Sequence, residues 1–253
     1  MPDHAALIDE IRAAALRAGT AILEVYAQDF AIERKSDASP VTQADHLAEA
    51  IIVETLQQIT PGIAIIAEEL AEAGGLPETA PERFWLVDPL DGTKEFIARN
   101  GEFTVNVALV ENRRPVLGVV HAPALDVTYW AAGGHAFRRR GSSAATPIAA
   151  RPVPKEGAVC LHSRSHLDPA TKEWIGRHRI AQHRPAGSSL KFCLVAEGEA
   201  DVYPRLGPTM EWDTAAGQAV LEAAGGRVTT RDGAPFLYGK PGFRNPDFIA
   251  RGR

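Results

Sequence analysis

The sequence has very few cysteines and no long apolar run. Only two cysteines, Cys160 and Cys193, occur in 253 residues. They are too few and too far apart for a CxxC metal clasp or a disulfide framework, so a reducing compartment is expected. No apolar run reaches the roughly 18 residues that a membrane span requires, so no transmembrane helix is expected.

Positive charge is not in excess either. The 27 Lys and Arg residues against 32 Asp and Glu residues give a net charge of −5. This balance argues against a broad binding surface for nucleic acid, although a local cationic cluster could bind a small polyanion. The first residues carry acidic groups and lack the basic and apolar segments of a secretory leader. We therefore expect an N-terminal helix and a cytoplasmic protein.

The composition is that of a globular protein, with 45% hydrophobic and 23% charged residues. The length exceeds the commonest size of one domain and predicts either one large α/β unit or two halves that share an interface. A polar, basic and Gly/Ser-containing segment at 138–146 is the best candidate for the boundary. It divides the chain into an N-terminal α+β subdomain (1–145) and a C-terminal α/β subdomain (146–253).

Hydrophobic periodicity predicts the main elements. Apolar residues at spacings of three and four predict a helix over 5–26 and another over 44–59, the second with Leu47, Ile51, Thr55 and Ile59 aligned. The polar segment 35–42 is predicted to be a loop. Short apolar runs between turn residues predict strands at 63–67, 84–87, 103–110, 116–121, 127–131 and 158–161. Further helices are predicted from about residue 168, near 189–196 and over 213–224. This alternation predicts a layered α/β fold.

The most informative string is Asp88-Pro89-Leu90-Asp91-Gly92-Thr93, directly after a predicted strand. Its two carboxylates, three residues apart, can point into one cleft. Gly92 and Thr93 offer backbone N–H groups at a helix start, where a phosphate is favoured. Hard divalent cations are held by a few carboxylates together with substrate phosphate oxygens. The string predicts a site of this kind, and the alternative is a helix cap followed by a turn residue.

Other acidic residues stand where the fold could bring them to the same place. Glu68-Glu69 ends the strand before Asp88, so strand pairing could place these carboxylates side by side. Asp213 begins a predicted helix, and Asp45 lies at the start of another. Each of these two could also be an ordinary helix cap.

Together these residues resemble the inositol monophosphatase superfamily of Mg²⁺-dependent, Li⁺-sensitive phosphatases. The family pattern is an acidic pair after a strand, then D-P-[IL]-D-G-T, then W-D-x-A-A-G before a helix. These motifs occur here in order as Glu68-Glu69, residues 88–93 and residues 212–217. Within the superfamily the sequence is most similar to the CysQ-type 3′(2′),5′-bisphosphate nucleotidases, over about residues 7–230. The supporting segments are 37–45, 94–96, 99–105, 163–166, 187–193 and 200–205. The resemblance implies an αβαβα sandwich of the inositol monophosphatase and sugar phosphatase type.

The resemblance also implies two to three Mg²⁺ ions and a role for each acidic residue. One ion would be held by Glu68, Asp88 and the backbone carbonyl of Leu90. Asp88 would bridge to a second ion that is shared with Asp91 and Asp213. Asp45 and Thr93 match the pair that polarises the attacking water. Glu69 would lie next to the metal ligands without binding an ion itself.

The chemistry of the residues points to a metal independently. Four or five converging carboxylates repel one another in an empty site, and a divalent cation removes that penalty. No histidine or cysteine ligand is needed, and an all-oxygen shell selects Mg²⁺ over Zn²⁺.

On the substrate side, the resemblance implies contacts from Ser188, Lys191, Arg205 and His166. Glu68, Leu90, Asp91, Gly92, Thr93 and Asp213 are also expected to contact substrate. A second phosphate that is not cleaved needs donors away from the metals, which Lys191 and Arg205 could supply. Alternatively, Lys191 is an exposed helix residue and Arg205 a surface loop residue.

The expected substrate is adenosine 3′,5′-bisphosphate, cleaved to 5′-AMP, with the sulfated nucleotide PAPS as a second substrate, in sulfur assimilation and nucleotide recycling. Inositol phosphates and fructose 1,6-bisphosphate are the alternatives within the family. The oligomeric state, and contact with the inner face of the cell membrane, stay open.

Two rival functions fit the sequence less well. A haloacid-dehalogenase-type phosphatase uses D-x-D-x-T, but the acids here are three residues apart, so its second Asp would fall on Leu90. A non-enzymatic regulator that binds metal and nucleotide would be expected to have lost Asp45, Thr93 or Asp213, and all three are present.

Overall fold

The computed structural model describes residues 4–34, 40–165 and 167–253. Over this part of the chain, two large sheets are accompanied by a two-stranded hairpin. The helices are α1 (His4–Tyr26), α2 (Gln43–Ile59), α3 (Glu68–Glu72), α4 (Thr93–Ile97), α5 (Pro169–Gly176), α6 (Leu190–Ala196) and α7 (Ala215–Ala223).

Strands β1 (Glu33–Arg34) and β2 (Pro40–Val41) form the hairpin. The seven-stranded sheet has the order β3-β4-β5-β6-β7-β8-β9. Its strands are β3 (Ala64–Ala67), β4 (Arg83–Asp91), β5 (Thr104–Glu111), β6 (Arg114–Ala122), β7 (Val127–Ala132), β8 (His135–Arg140) and β9 (Thr146–Pro147). The five-stranded sheet has the order β11-β10-β12-β14-β13. Its strands are β10 (Ala158–Ser163), β11 (Ile180–Ala186), β12 (Val202–Arg205), β13 (Arg227–Thr230) and β14 (Phe248–Arg251).

The side chains of each sheet point alternately into two different cores. In β4, Trp85 and Val87 pack with α1 and α2, whereas Phe84 and Leu86 pack with α6 and α7. Successive strand residues face opposite sides of a sheet, so this alternation places one helix layer on each face.

The five-stranded sheet shows the same alternation. Leu161 and Tyr203 face the α6/α7 layer, whereas Cys160 and Val202 pack with Ile175 of α5. The layers therefore run α1/α2, seven-stranded sheet, α6/α7, five-stranded sheet, α5. The expected αβαβα sandwich is confirmed.

Glycine allows the central helix layer to approach its neighbours closely. A Cβ on Gly118 of β6 would lie 2.8 Å from the carbonyl oxygen of Ala216, and a Cβ on Gly217 would lie 2.5 Å from the Phe192 ring. Both positions exclude any larger residue, because interior packing leaves no room to shift the neighbours. The second of them is the glycine of the W-D-x-A-A-G motif.

The predicted apolar stripe of α2 was wrong in part: Thr55 is buried and Ile51 and Ile59 pack against the core at its border. Leu47 is 40% exposed, and the buried apolar row is Ala44, Ala48, Ile52 and Leu56. The two rows differ by one residue, which is about 100° of rotation around a helix. The large side chain of Leu47 suggested the wrong centre for the buried face, because two of the buried positions are the small residues Ala44 and Ala48.

Two further boundaries differ from expectation. Strand β4 does not stop at residue 87 but continues to Asp91, with a register shift between Asp88 and Asp91. Helix α7 is nine residues long, so Asp213 lies in the turn that precedes it and does not begin the helix. The candidate boundary segment 138–146 begins within β8, which pairs with β7.

Two expectations concern segments that the structure covers in part. The division into residues 1–145 and 146–253 stays a prediction; the chain passes from one large sheet to the other between β9 and β10. Of the predicted loop at 35–42, residues 35–39 lie outside the described residues, and Pro40–Val41 forms β2.

None of the described helices is both long and apolar enough to cross a bilayer.

Candidate active site

The acidic residues of the site lie together because β3 and β4 are parallel neighbours. Ala67 of β3 pairs with Val87 of β4. Glu68 and Asp88, the residues that follow this pair, therefore lie side by side at the carboxyl end of β3. Glu68 is the first residue of α3, and Glu69 is buried in the same turn. The expectation that pairing would bring the two motifs side by side is confirmed.

The start of α3 is held by a buried carboxylate that the sequence did not single out. Glu49 of α2 accepts hydrogen bonds from the main-chain N–H groups of Glu69 (2.8 Å) and Leu70 (3.1 Å). Burial, with the nearby carboxylates of Glu69 and Glu68, raises the pKa of Glu49 to about 7. Glu49 thereby fixes the position of the residues that follow β3.

The D-P-L-D-G-T string forms an irregular strand end followed by a short helix. One carboxylate oxygen of Asp88 accepts a hydrogen bond from Leu90 N at 3.0 Å. Gly92 has φ of +94°, in the left-handed region that favours glycine, and α4 begins at Thr93. The predicted turn and helix start are therefore present, displaced to the end of β4.

Asp45 and Thr93 face each other from two helix starts. The Oδ2 atom of Asp45 accepts hydrogen bonds from the N–H and the hydroxyl of Thr42, both at 2.8 Å, in a capping box of α2. Its Oδ1 atom lies 3.5 Å from Thr93 Oγ1, which is also 3.4 Å from the carbonyl oxygen of Leu90. Thr42 is thus the N-cap of α2, and Asp45 is the third residue of its capping box and also a partner of Thr93.

Asp213 is presented by a turn that the C-terminal part of the chain holds in place. Its Oδ2 atom accepts a hydrogen bond from Met210 N at 2.8 Å. The fully buried Glu211 accepts hydrogen bonds from the N–H groups of Gly239 (2.8 Å) and Lys240 (2.9 Å) and pairs with Lys240 Nζ at 2.7 Å. The position of Asp213 therefore depends on a segment in which no family motif was recognised.

The opposite side of the cleft comes from the five-stranded half of the molecule. Ser189 donates its N–H to Asp91, and its hydroxyl lies 2.6 Å from Asn106 Oδ1 and 2.8 Å from the Thr104 hydroxyl. Ser188 has φ of +46° and lines the cleft. A single segment before α6 thus contacts the acidic residues and forms the facing wall.

Lys191 is not the exposed helix residue of the alternative interpretation. It is buried in α6, and its Nζ donates to the carbonyl oxygens of Ala186 (3.2 Å) and Ser188 (2.6 Å) while lying 5.0 Å from the centre of the Tyr203 ring. Arg205 ends β12 and donates to the carbonyl oxygen of Pro208 at 3.0 Å. Both side chains line the same cavity as the acids.

This cavity has a volume of about 280 Å³ and brings most of the expected residues together. Its lining includes Glu68, Asp91, Gly92, Thr93, Ser188, Lys191, Arg205 and Asp213. Asp45, Asp88 and Leu90 are buried next to these residues and do not form its surface. His166 lies outside the described residues, so the expectation for it stays a prediction.

The cleft holds buried carboxylates close to the buried ammonium group of Lys191. Burial raises the pKa of Asp91 to about 6, with Lys191 and the Ser189 N–H acting in the opposite direction. Burial, together with the charges of Asp91 and Glu68, raises the pKa of Asp213 well above its usual value. Burial also lowers the pKa of Lys191 to about 8, against the attraction of Asp91. The acids lie close enough to destabilise one another's charge.

The donor set fits a hard divalent cation. The carboxylates of Glu68, Asp91 and Asp213 face one cavity and disfavour each other's ionisation, which a bound cation would reverse. In the part of the chain that is described, no three His, Cys, Asp or Glu side chains already surround one point as metal ligands do.

Several residues of the cleft were not identified from the sequence. Glu95, Ser163, Tyr203 and Thr214 line it, and Ser189 contacts Asp91. Most lie within the segments that carried the family resemblance, next to residues that were assigned a role. Their position inside those motifs was the available signal.

Comparisons with known proteins agree on the family. Residues 3–248 match the model of the inositol monophosphatase family. A protein of Escherichia coli O157:H7 named 3′(2′),5′-bisphosphate nucleotidase CysQ is 46% identical over 247 residues, which are 96% of this chain and 98% of that protein. The protein of the same name from strain K12 is 45% identical over the same shares.

Solved structures of similar fold extend over nearly the whole chain. CysQ from Bacteroides thetaiotaomicron, described as a bacterial member of the inositol monophosphatase family, has a TM-score of 0.81 at 37% identity, covering 98% of this chain and 97% of that one. An IMPase of Thermotoga maritima has a TM-score of 0.79 at 29% identity, covering 97% and 91%. The resemblance inferred from the motifs is confirmed: this chain belongs to the inositol monophosphatase family.

Proposed function

We propose that this protein is a Mg²⁺-dependent phosphatase that removes the 3′-phosphate of adenosine 3′,5′-bisphosphate and releases 5′-AMP. PAPS is the second substrate proposed. The observation that carries the proposal is the two-sided cleft, with Glu68, Asp91 and Asp213 opposite Lys191 and Arg205. Relatives that are 45–46% identical and named 3′(2′),5′-bisphosphate nucleotidase support the choice of substrate.

A molecule with two phosphates matches the two sides of the cleft. The phosphate to be cleaved would lie at the carboxylates, where Glu68, Asp88, the Leu90 carbonyl, Asp91 and Asp213 would hold two to three Mg²⁺ ions. Bound Mg²⁺ would offset the charge of the phosphate oxygens and of the leaving oxygen. The remaining 5′-phosphate would be bound by donors such as Lys191 and Arg205.

Asp45 and Thr93 would act on the attacking water. Thr93 Oγ1 and Asp45 Oδ1 lie 3.5 Å apart at the edge of the carboxylate cluster. A water bound to the Thr93 hydroxyl would therefore be connected to the Asp45 carboxylate through that hydroxyl. The water oxygen would attack phosphorus, the bond from phosphorus to O3′ would break, and the water proton would pass through Thr93 to Asp45. Solvent would protonate the released 3′ oxygen.

A phosphate-release assay over several substrates tests the proposal. The panel is adenosine 3′,5′-bisphosphate, 5′-AMP, inositol 1-phosphate and fructose 1,6-bisphosphate, each with Mg²⁺, with chelator and with Zn²⁺. We expect the highest kcat/KM on the adenosine bisphosphate with Mg²⁺ and inhibition by millimolar Li⁺. Release that survives thorough chelation would refute the metal dependence, and a preference for inositol 1-phosphate would refute the nucleotide assignment.

We propose a cytoplasmic location. Both cysteines are free and buried, and burial raises the pKa of the Cys160 thiol to about 12. Such thiols are unreactive and suit a reducing compartment. Fractionation that recovers the protein with the membrane after a high-salt wash would contradict this location.

A further inference from the structure

Glu102 joins the two halves of the molecule beside the cleft. It lies between α4 and β5, and its Oε2 atom accepts hydrogen bonds from Arg164 Nε (2.9 Å) and from the main-chain N–H of Gly187 (2.7 Å). Its Oε1 atom accepts a further hydrogen bond from Arg164 Nη2 at 2.8 Å. Although burial alone would raise the pKa of Glu102, the bonds from Arg164 and Gly187 hold it below its usual value. One carboxylate thus binds two separate segments of the five-stranded half.

The two segments are the carboxyl ends of neighbouring parallel strands. Ser163 of β10 pairs with Ala186 of β11, so Arg164 and Gly187 are the next residue of each strand. Ligands of α/β proteins bind beside the carboxyl ends of parallel strands. Ser163 immediately precedes Arg164 and lines the cleft.

Gly187 brings the second segment into direct contact with the Glu102 backbone. A Cβ at Gly187 would lie 2.4 Å from the carbonyl oxygen of Glu102. Lys191 continues the chain of contacts, because its Nζ donates to the carbonyl oxygens on either side of Gly187, those of Ala186 and Ser188. In addition, the hydroxyl of Ser165 donates a hydrogen bond to the carboxylate of Glu95 in α4 at 2.6 Å. The positions of Ser188 and Lys191 therefore depend on the contact between Gly187 and Glu102.

We propose that Glu102 is a positioning residue for substrate recognition. It holds the nucleotide-side wall, formed by Ser163, Ser188 and Lys191, at a set distance from the carboxylates on the other sheet. Glu102 is not among the residues that line the cleft, so it acts through Arg164 and Gly187. This inference rests on the proposed nucleotidase function.

The exposure of the ion pair between Glu102 and Arg164 allows a positioning role to be distinguished from a purely structural one. The side chain of Arg164 is 40% exposed and that of Glu102 is 21% exposed. Ion pairs at this degree of exposure contribute little to global stability. Loss of the pair is therefore expected to leave the fold intact and to affect the wall alone.

The experiment compares E102A and R164A with wild type on two substrates that share the reacting 3′-phosphate. Adenosine 3′,5′-bisphosphate carries the second phosphate and adenosine 3′-monophosphate lacks it. The control is E199A, because Glu199 also pairs with an arginine of the five-stranded half, Arg184 at 3.7 Å, on the exposed surface.

We expect E102A to raise KM for the bisphosphate about tenfold, with kcat and both constants for the monophosphate within about threefold of wild type. R164A should have a smaller effect, because Gly187 N keeps its acceptor. E199A should match wild type. Calorimetric binding of 5′-AMP should weaken by a similar factor in E102A, and thermal unfolding should stay close to that of wild type.

Equal losses on both substrates, or an unchanged KM in a folded E102A, would overturn the positioning role while leaving the nucleotidase assignment intact. A wild-type enzyme that ignores the bisphosphate would overturn the proposed function itself. Should E102A fail to fold, R164A and R164K decide: an unchanged KM for the bisphosphate in both contradicts the proposal.

Discussion

The main-chain N–H of Ser189 donates a hydrogen bond to the carboxylate of Asp91, across 98 residues of sequence. Asp91 ends β4 of the seven-stranded sheet, and Ser189 precedes α6 in the central helix layer. The acidic half of the cleft is therefore bonded directly to the segment that carries Lys191. This contact makes the relative position of the two sides part of the site.

Asp88→Asn should abolish turnover while the protein remains folded. The substitution keeps the side-chain size but removes charge from the proposed bridging ligand, which should cost several kcal/mol of transition-state stabilisation. Phosphate release and calorimetric Mg²⁺ titration measure the two effects. Glu72→Gln, in an exposed part of α3, is the matched control. Near-normal activity of folded Asp88→Asn would show that the bridging role is wrongly assigned.

Thr93→Ala should slow the chemical step and leave metal binding less affected. Its hydroxyl faces Asp45 Oδ1 at 3.5 Å and would act on the water, so kcat should fall by roughly 10²- to 10⁴-fold. Thr93→Ser, which keeps the hydroxyl, should recover much of the rate. The division of roles fails if Thr93→Ala weakens Mg²⁺ binding as strongly as Asp88→Asn does.

Lys191→Ala and Arg205→Ala should damage turnover of the bisphosphate far more than turnover of adenosine 3′-monophosphate. A charge-assisted hydrogen bond contributes roughly 1.5–3 kcal/mol, so each loss should reduce kcat/KM for the bisphosphate about ten- to a hundredfold. The exposed Lys172→Ala serves as control. Equal losses on both substrates would mean that these side chains only support the structure, as the bonds from Lys191 to Ala186 and Ser188 would allow.

Glu211→Gln and Lys240→Met should each destabilise the fold by about 3–5 kcal/mol, because each leaves one buried charge without its partner. Glu211 is fully buried and Lys240 is 18% exposed in its side chain. The double variant should lose less than the sum of the two. Urea unfolding measures these values, with the exposed Glu173→Gln as control. Additive losses would contradict a coupled pair.

His121 should make the protein less stable in mild acid. Burial lowers the pKa of this side chain from 6.5 to about 4 in the folded state, despite its contacts with Val127 O and Thr128 Oγ1. Above pH 6.5 neither state binds the proton. Between pH 6.5 and 4 the unfolded chain binds it and the folded chain does not, so stability falls by about 2 kcal/mol at pH 5 and about 3 kcal/mol below pH 4.

Urea unfolding of wild type and His121→Asn at pH 8 and pH 5 measures this contribution. The variant should lose less stability between the two pH values than wild type does. Replacement of the exposed His178 by Asn should leave the wild-type difference unchanged. A His121→Asn variant with the full wild-type pH dependence would exclude the buried imidazole as its source.

Local sequence signals predicted the elements and the chemistry of the acidic residues. Periodic apolar residues marked α1 and α2, and the D-P-L-D-G-T string marked a strand end, a glycine in the left-handed region and a helix start. These features depend on residues that are close in the chain, so they can be recognised without a fold. The buried face of α2 was misjudged by one residue because two of its four apolar positions are the small residues Ala44 and Ala48, which give a weak apolar signal.

What only the tertiary structure decided is which distant groups hold the residues of the cleft in place. Glu49 binds the turn after β3, Lys240 pairs with Glu211 in the turn that presents Asp213, and Glu102 binds Arg164 and Gly187. Each of these side chains belongs to a common residue type in an unremarkable local sequence. Their roles arise from contacts between segments 20 to 85 residues apart. The sequence by itself determined the candidate residues for the chemistry, because the proposed reacting groups occur in short motifs. The packing of two sheets around α6 and α7 decided how those residues are held, because burial and hydrogen bonding across the layers exist only in the folded chain.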